Sequence, residues 1–343
     1  MAFIQHDISL KQLNTFGIDA IAKYFASFQT EKELISLLSE VELLFKNDIS
    51  KLLFLGSGSN ILFTKDFDGV VLKNEIAGIQ VVHEDEEFVY VTTGAGVIWH
   101  DFVLFCIANN FGGAENLSLI PGTVGASPIQ NIGAYGVELK DILFSLKALD
   151  FKEKDWLVFS NKDCEFGYRT SIFKTSLKDR VVITSATFRL TKTNHTLHLD
   201  YGAIHAQLAM NGVIAPSIKD VSDAVVDIRS SKLPDPRIIG NAGSFFKNPI
   251  VNKILFDKLK LDFPDIVANE TTEGYKLAAG WLMEKAGWKG YRQGDAGCYN
   301  KQSLVLVNYG QASGVDILSL STLIIKSVLD KFGVKLTPEV NIV

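Results

Sequence analysis

Cysteine is scarce in this chain. Cys106, Cys164 and Cys298 lie far apart, with none of the paired spacings that bind zinc, hold an iron–sulfur cluster or form a redox pair. So odd and sparse a set points to a reducing compartment and away from a secreted disulfide scaffold. Positive charge is not in excess either, since 34 Lys and Arg face 39 Asp and Glu, and nothing advertises a nucleic-acid surface. No predominantly apolar run reaches the roughly 20 residues that a bilayer crossing needs. The first residues, MAFIQHDISLKQ, have neither the cationic start nor the apolar run of a secretory signal. A cytoplasmic protein without membrane or nucleic-acid partners is expected.

Familiar catalytic signatures are missing too. The six histidines contain no HExxH, and no GxxxxGK[ST] phosphate loop occurs. The decapeptide GNAGSFFKNP, Gly240 to Pro249, presents Ser244 after small residues and before two rings, with Lys247 and Asn248 behind. A nucleophile elbow needs glycine two residues to each side of its serine, and those positions hold Ala242 and Phe246. An esterase reading therefore fails, and Ser244 is left as a proton donor or a turn residue.

What is present is a long alternation of helix and strand patterns. TEKELISLLSEVELLF from Thr30 reads as an amphipathic helix with Leu34, Leu37, Leu38, Val41 and Phe45 on one face. Thr30 and Glu33 have capping-box spacing. KLLFLG and GVVLK follow as short strands. From Ile79 the chain becomes strand-rich: two strands around an acidic turn, the same arrangement again from Phe144, and a strong strand from Val181, with a helix from Trp99 between them. Helices return from Ser217, from Tyr275 (YKLAAGWLMEKAG, closed by Gly287) and from Gly314, with a strand from Ser303. The divisions expected are 1–75, 76–216 and 217–333, then a separate tail, 334–343.

Glycine gathers in three places, GSGSN (Gly56 to Asn60), GAG (Gly94 to Gly96) and IPGTVGASPIQNIGAYGVE (Ile120 to Glu138). Consecutive backbone N–H groups in such turns suit a pyrophosphate, although each cluster alone reads equally as a turn. GSGSN lacks the third glycine of a Rossmann fingerprint and precedes a strand pattern, so that site is not expected. In CEFGYRTSIFK, Arg169 cannot shed its charge and needs a carboxylate or phosphate partner. A structural ion pair would serve as well. Glu339, in LTPEVNIV, reads by itself as a solvated surface residue.

Taken together, NTFGIDAIAKYF, GSGSN, IPGTVGASPIQNIGAYGVE, GYRTSIFK, KLPDP, GNAGSFFKNP, KLAAGWLMEKAGWKG and a terminal PEV resemble the UDP-N-acetylenolpyruvoylglucosamine reductase family, in order and over nearly the whole chain. The resemblance implies an α+β protein: a two-domain FAD-binding module of the vanillyl-alcohol-oxidase (PCMH) type plus a third α+β substrate-binding domain. Gly56, Ser57, Gly58, Ser59 and Asn60 would lie along the pyrophosphate. Pro121, Gly122, Thr123, Gly125, Ala126, Ile129, Gln130, Asn131, Gly133 and Ala134 would follow the flavin and its linker. The glycine-rich segment has no histidine or cysteine for a covalent tether, so a dissociable FAD is expected.

By the same resemblance NADPH reduces the flavin, which delivers hydride from N5 to C3 of the enolpyruvyl group. Ser244 then protonates C2, while Arg169 and Glu339 hold the carboxylate and stabilise the enol charge. Tyr135, Arg229, Lys232, Asn248 and Gln302 match substrate contacts, and many relatives have histidine in place of Gln302. Tyr201 matches the tyrosine of a loop that closes over the diphosphate in the family's longer subtype. The small-molecule substrate is a UDP-sugar, no metal is implied, and a monomer suffices. Two alternatives stay open, an FAD oxidase of the same fold acting on a sugar or hydroxy acid, and a non-catalytic nucleotide-sugar-binding module.

Overall fold

Where apolar residues recur every three or four positions the chain is helical, and where they alternate it is extended. The computed structural model describes residues 3–45 and 51–343. Met1, Ala2 and residues 46–50, which belong to the expected first division, lie outside the described residues. The chain forms two compact units, one of Met1–Ile8, Ala22–Ser57 and Asp68–Ser231, the other of Ser9–Ile21, Gly58–Phe67 and Lys232–Val343.

In the first unit helix Glu31–Phe45 buries Leu34, Leu37 and Val41. Thr30 Oγ1 accepts from the Glu33 N–H at 3.1 Å, whereas the Glu33 carboxylate reaches back to the Gln29 N–H at 2.8 Å. The helix shares a core with Ala26, Phe28, Val70 and Leu72 of a four-stranded sheet, ordered Gln5–Ser9, Ile21–Phe28, Phe67–Asn74, Leu52–Leu55. The last two strands pair in parallel.

A second sheet in this unit is antiparallel throughout, ordered Asp155–Ser160, Leu143–Asp150, Val181–Thr191, Phe88–Gly94, Ile79–Glu84. Its acidic turn is closed by Asp85, whose carboxylate accepts from the N–H groups of Glu87 and Phe88. Helix Trp99–Ala108 buries Trp99, Phe102, Val103 and Cys106. Trp99 and Phe102 meet Phe188 of the sheet with ring centroids 5.7 and 4.5 Å away, the spacing at which aromatic pairs add to plain burial.

Residues 217–231 fall in the first unit. Helix Ile218–Lys232 stays with it through Ser231, because Ala224, Val225 and Ile228 pack on Ile204 and Leu208.

The second unit carries a four-stranded sheet, ordered Gly240–Ser244, Val305–Asn308, Ala296–Cys298, Arg292–Gln293. Helix Gly314–Phe332 packs against it. Ser313 and Asp316 form a capping box at its start, and Gly333 closes it at φ +67°, the left-handed conformation glycine adopts freely. The segment from Tyr275 departs from expectation. Gly274–Leu277 is a strand between Ile250–Val251 and Ala268–Thr271, so the helix covers only Ala279–Lys285. Ladder pairing on both sides overrides the helical pattern of KLAAG.

Residues 334–343 fall in the second unit. Asn341–Ile342 pairs in parallel with Ile61–Leu62, and Thr64 holds the Val343 carbonyl through both its N–H and its hydroxyl. At the other end of this segment Gly58 has φ +65°, and a Cβ there would stand 2.0 Å from the Leu13 carbonyl oxygen. Gly58→Ala should therefore cost about 2 kcal/mol or more, read as a lower urea midpoint at unchanged slope. An unchanged midpoint would refute this account of the turn.

Candidate active site

In the first unit Arg169 is presented by a tight turn. Gly167 and Thr170 exchange both backbone hydrogen bonds, at 3.1 and 3.3 Å, and Arg169 occupies the turn with φ +52°. This is a conformation that non-glycine residues seldom take. Three ties hold the turn to the glycine-rich loop. Asn131, fully buried, donates from Nδ2 to the Gly167 carbonyl and to Glu138 at 3.1 Å each. Ser171 Oγ donates to the Ile129 carbonyl at 2.8 Å. Lys174 reaches Gln130 at 3.5 Å. The guanidinium itself donates through Nη2 to the Gly133 carbonyl at 2.8 Å. A side chain on residue 133 would crowd it, since a Cβ there lies 3.3 Å from Nη1.

Tyr135 (φ +50°) follows in the same loop. Its ring meets that of Tyr201 edge-on, centroids 5.5 Å apart. Arg229 is near both Tyr135 and Arg169. Burial pulls its basicity down, the positive charge of Arg169 adds to that, and Tyr135 opposes it. Its Nε is buried without a partner. The unit thus gathers Arg169, Tyr135, Tyr201 and Arg229, with two guanidinium groups within electrostatic reach of each other, an arrangement suited to an anionic ligand.

The glycine clusters divide by purpose. At GAG, a Cβ on residue 94 or 96 would collide with the backbone of Ile76 or Glu75, so these glycines serve close chain packing. In the long segment the N–H groups of Val124, Gly125 and Ala126 bond to carbonyls of Val97, Ala95 and Thr123. These donors are spent within the chain, so the expected nest does not extend over Gly125 and Ala126. GSGSN differs. Ser57 Oγ is buried with no partner, and a Cβ on Gly56 would stand 2.7 Å from Thr123 Oγ1. A buried hydroxyl left unpaired costs about 1–3 kcal/mol. Gly56, Ser57 and Thr123 therefore fit a phosphate-bearing cofactor. All three thiols are buried, which pushes Cys164 and Cys298 up to about 12 and Cys106 well upward, so none is a ready nucleophile.

In the second unit Ser244 ends a strand whose register slips between Asn241 and Ser244. Asn241 pairs with Val307 and Ser244 with Val305, so the first strand carries one residue more than its partner. Gly243, at φ +68°, bulges outward and donates its N–H to Asn241 Oδ1 at 3.0 Å. Ser244 is exposed, while Phe245 and Phe246 behind it are buried. Burying two rings contributes several kcal/mol, and Phe245 also donates its N–H to the Leu304 carbonyl. The bulge is aimed from a fixed base.

The tail runs alongside. Glu339 donates its N–H to the Phe245 carbonyl at 2.8 Å, and Lys247 donates to the Thr337 carbonyl at 3.0 Å. Ser244 and Glu339, distant in sequence, are thereby carried on neighbouring backbone segments joined by an isolated antiparallel bridge between Phe246 and Pro338. Asn60 donates to the Glu339 carbonyl at 3.4 Å. Asn248 Oδ1 accepts from the Ala279 N–H, Gln302 Oε1 from the Leu304 N–H, and Lys232 is exposed at its helix end. Sequence reading missed Asn116 altogether. It is buried in the first unit and bonded to Tyr135 and His198 carbonyls, and no motif or spacing marks it.

The cradle at Ser57 and the strand-rich unit around it belong to a flavoprotein. Residues 22–154 match the FAD binding domain family, and the chain is an FAD-dependent oxidoreductase with an α+β fold. Residues 235–343 match the family described as UDP-N-acetylenolpyruvoylglucosamine reductase, C-terminal domain. The sequence is 49% identical over 341 residues to the UDP-N-acetylenolpyruvoylglucosamine reductase of Flavobacterium johnsoniae, covering 99% of each chain. It is 48% identical over 340 residues to that of Pseudomonas savastanoi pv. phaseolicola, covering 99% of this chain and 98% of the other. The crystal structure of the Thermus caldophilus UDP-N-acetylenolpyruvylglucosamine reductase shares the fold at TM-score 0.67 and 21% identity, over 100% of this chain and 99% of that one. The chain belongs to the UDP-N-acetylenolpyruvoylglucosamine reductase family. Neither an oxidase nor a non-catalytic binding module fits that membership.

The unpaired Ser57 hydroxyl makes a prediction. Ser57→Ala should stabilise the flavin-free protein by about 1–3 kcal/mol, the cost of the unpaired hydroxyl it removes, while weakening FAD binding by roughly tenfold, the worth of one charge-assisted hydrogen bond. Flavin retained through dialysis as well as by the wild type would contradict the assignment.

Proposed function

We propose that this chain reduces the enolpyruvyl group of UDP-N-acetylenolpyruvoylglucosamine with NADPH, giving UDP-N-acetylmuramate for cytoplasmic peptidoglycan precursor synthesis, and acts as a monomer. The FAD module would occupy residues 1–216, divided near 75, and the UDP-sugar domain the remainder to 333. The observation that carries the reading is the Ser244 bulge with Glu339 tied to the neighbouring Phe245 carbonyl. FAD, when bound, supplies the hydride that the enolpyruvyl C3 receives.

The chain's own residues handle the proton and the charge. Ser244 donates its hydroxyl proton to C2 as that carbon gains electron density, which is general acid catalysis by a positioned donor. Because Ser244 is exposed in its bulge, water can restore the proton. Arg169 stays cationic at any working pH and stabilises the oxyanion character that develops on the substrate carboxylate. Its left-handed turn and its bond to Gly133 fix where that charge sits. Glu339, protonated, hydrogen-bonds the same carboxylate. Tyr135, Tyr201, Arg229, Lys232, Asn248 and Gln302 hold the sugar nucleotide, the cations meeting its diphosphate. The remaining cofactor positions, from Gly58 to Asn60 and from Pro121 to Ala134, shape the flavin site.

Separating the two half-reactions tests this. Ser244→Ala should leave flavin reduction by NADPH within about twofold while slowing reduction of the enolpyruvyl substrate by roughly 10³-fold, the scale of a lost general acid. Glu339→Gln should spare the first half-reaction in the same way. Equal loss in both halves would remove Ser244 from the proton-donor role.

A further inference from the structure

Four successive residues of the first unit, Glu115 to Ser118, are each at most 1% exposed although three of them are polar. Their hydrogen bonds run outward in different directions. The Glu115 carboxylate accepts from the Gly113 N–H at 2.6 Å. The Leu117 carbonyl accepts from Trp99 Nε1 at 2.9 Å. Ser118 Oγ donates to the Glu115 carbonyl and lies 2.8 Å from Ser222 Oγ on the helix that carries Arg229. Asn116 sits at the centre. Its Nδ2 donates to the Tyr135 carbonyl at 2.9 Å and to the His198 carbonyl at 2.8 Å, while its Oδ1 is buried without a partner.

That carboxamide has one tolerable orientation, since a flip would set Oδ1 against two carbonyl oxygens. It therefore clamps two loops that are far apart in sequence, one bearing Tyr135 and one leading to Tyr201 three residues after His198. The Tyr135 and Tyr201 rings meet edge-on just beyond the clamp. Tyr135 has φ +50°, a conformation that surrounding bonds must enforce. We infer that Asn116 is a positioning residue that sets the Tyr135–Tyr201 ring pair for the sugar nucleotide. This inference rests on reading those two tyrosines as UDP-sugar contacts.

Asn116→Asp keeps the shape but places a carboxylate oxygen against both carbonyls. In flavin-loaded enzyme it should raise the KM for the enolpyruvyl UDP-sugar, and the Kd for UDP measured by calorimetry, by about tenfold or more, with flavin reduction by NADPH changed less than about twofold. In a Tyr201→Ala background the same substitution should add less than about twofold, because both changes act through one ring pair. A lowered Tm with unchanged UDP affinity, or a full further tenfold loss on top of Tyr201→Ala, overturns the inference. Asn116→Ser, with one shorter donor, takes the aspartate variant's place in the cycle if that variant does not load flavin. Should Tyr201→Ala alone leave UDP binding unchanged, the contact reading has failed. Should it weaken UDP while Asn116→Asp does not, only the positioning role has failed.

Discussion

The buried carboxamide of Asn131 is the constraint on which the placement of Arg169 in the first unit depends. The turn bearing Arg169 belongs to no helix and no extended ladder, so its own two hydrogen bonds would leave it loosely placed. Asn131 spends Nδ2 on the Gly167 carbonyl and on Glu138, and Oδ1 on the Lys140 N–H. Each such bond contributes only about 1 kcal/mol net, but leaving any of these buried groups unpaired costs more. The glycine-rich loop and the arginine turn therefore move as one piece. Asn131 is thus occupied as a strut, and its side chain has little left to offer a cofactor.

Strain gathers at the same place. Asn131, Tyr135 and Arg169 all have positive φ, each a conformation worth of order 1–3 kcal/mol that the surroundings must offset. The second unit solves its own positioning problem differently. There one bulge, with Gly243 in the left-handed region, lets Ser244 project while Phe245 and Phe246 stay in the core. The tail then adds Glu339 beside it through backbone bonds alone. Charge is placed by turns and side-chain struts in one unit and by strand register in the other.

Much of this was legible in the sequence, though not by one route. The helix over Glu31–Phe45, the acidic hairpin, the long helix before Gly333 and the strand-rich middle all follow from periodicity and capping. The strand Gly274–Leu277 did not, because its identity is decided by two partners and not by its own residues. Nor could any pattern show that residues 9–21 and 58–67 fold with the C-terminal part. Ser244, Arg169 and Glu339 were individually ambiguous, and only the resemblance joined them. Asn116 and Asn131 show the limit most clearly. An asparagine reads as a surface or turn residue, and its burial depends on carbonyls that tertiary structure brings to it.

Transfer of reducing equivalents from flavin to the sugar nucleotide is the step on which the proposed function depends. The direct measurement is anaerobic rapid mixing of NADPH-reduced enzyme with UDP-N-acetylenolpyruvoylglucosamine, followed at the flavin absorption band. Recovery of the oxidised band at a rate that rises with substrate concentration, one equivalent per flavin and without oxygen, is the predicted result. A band that stays bleached until oxygen is admitted would contradict it.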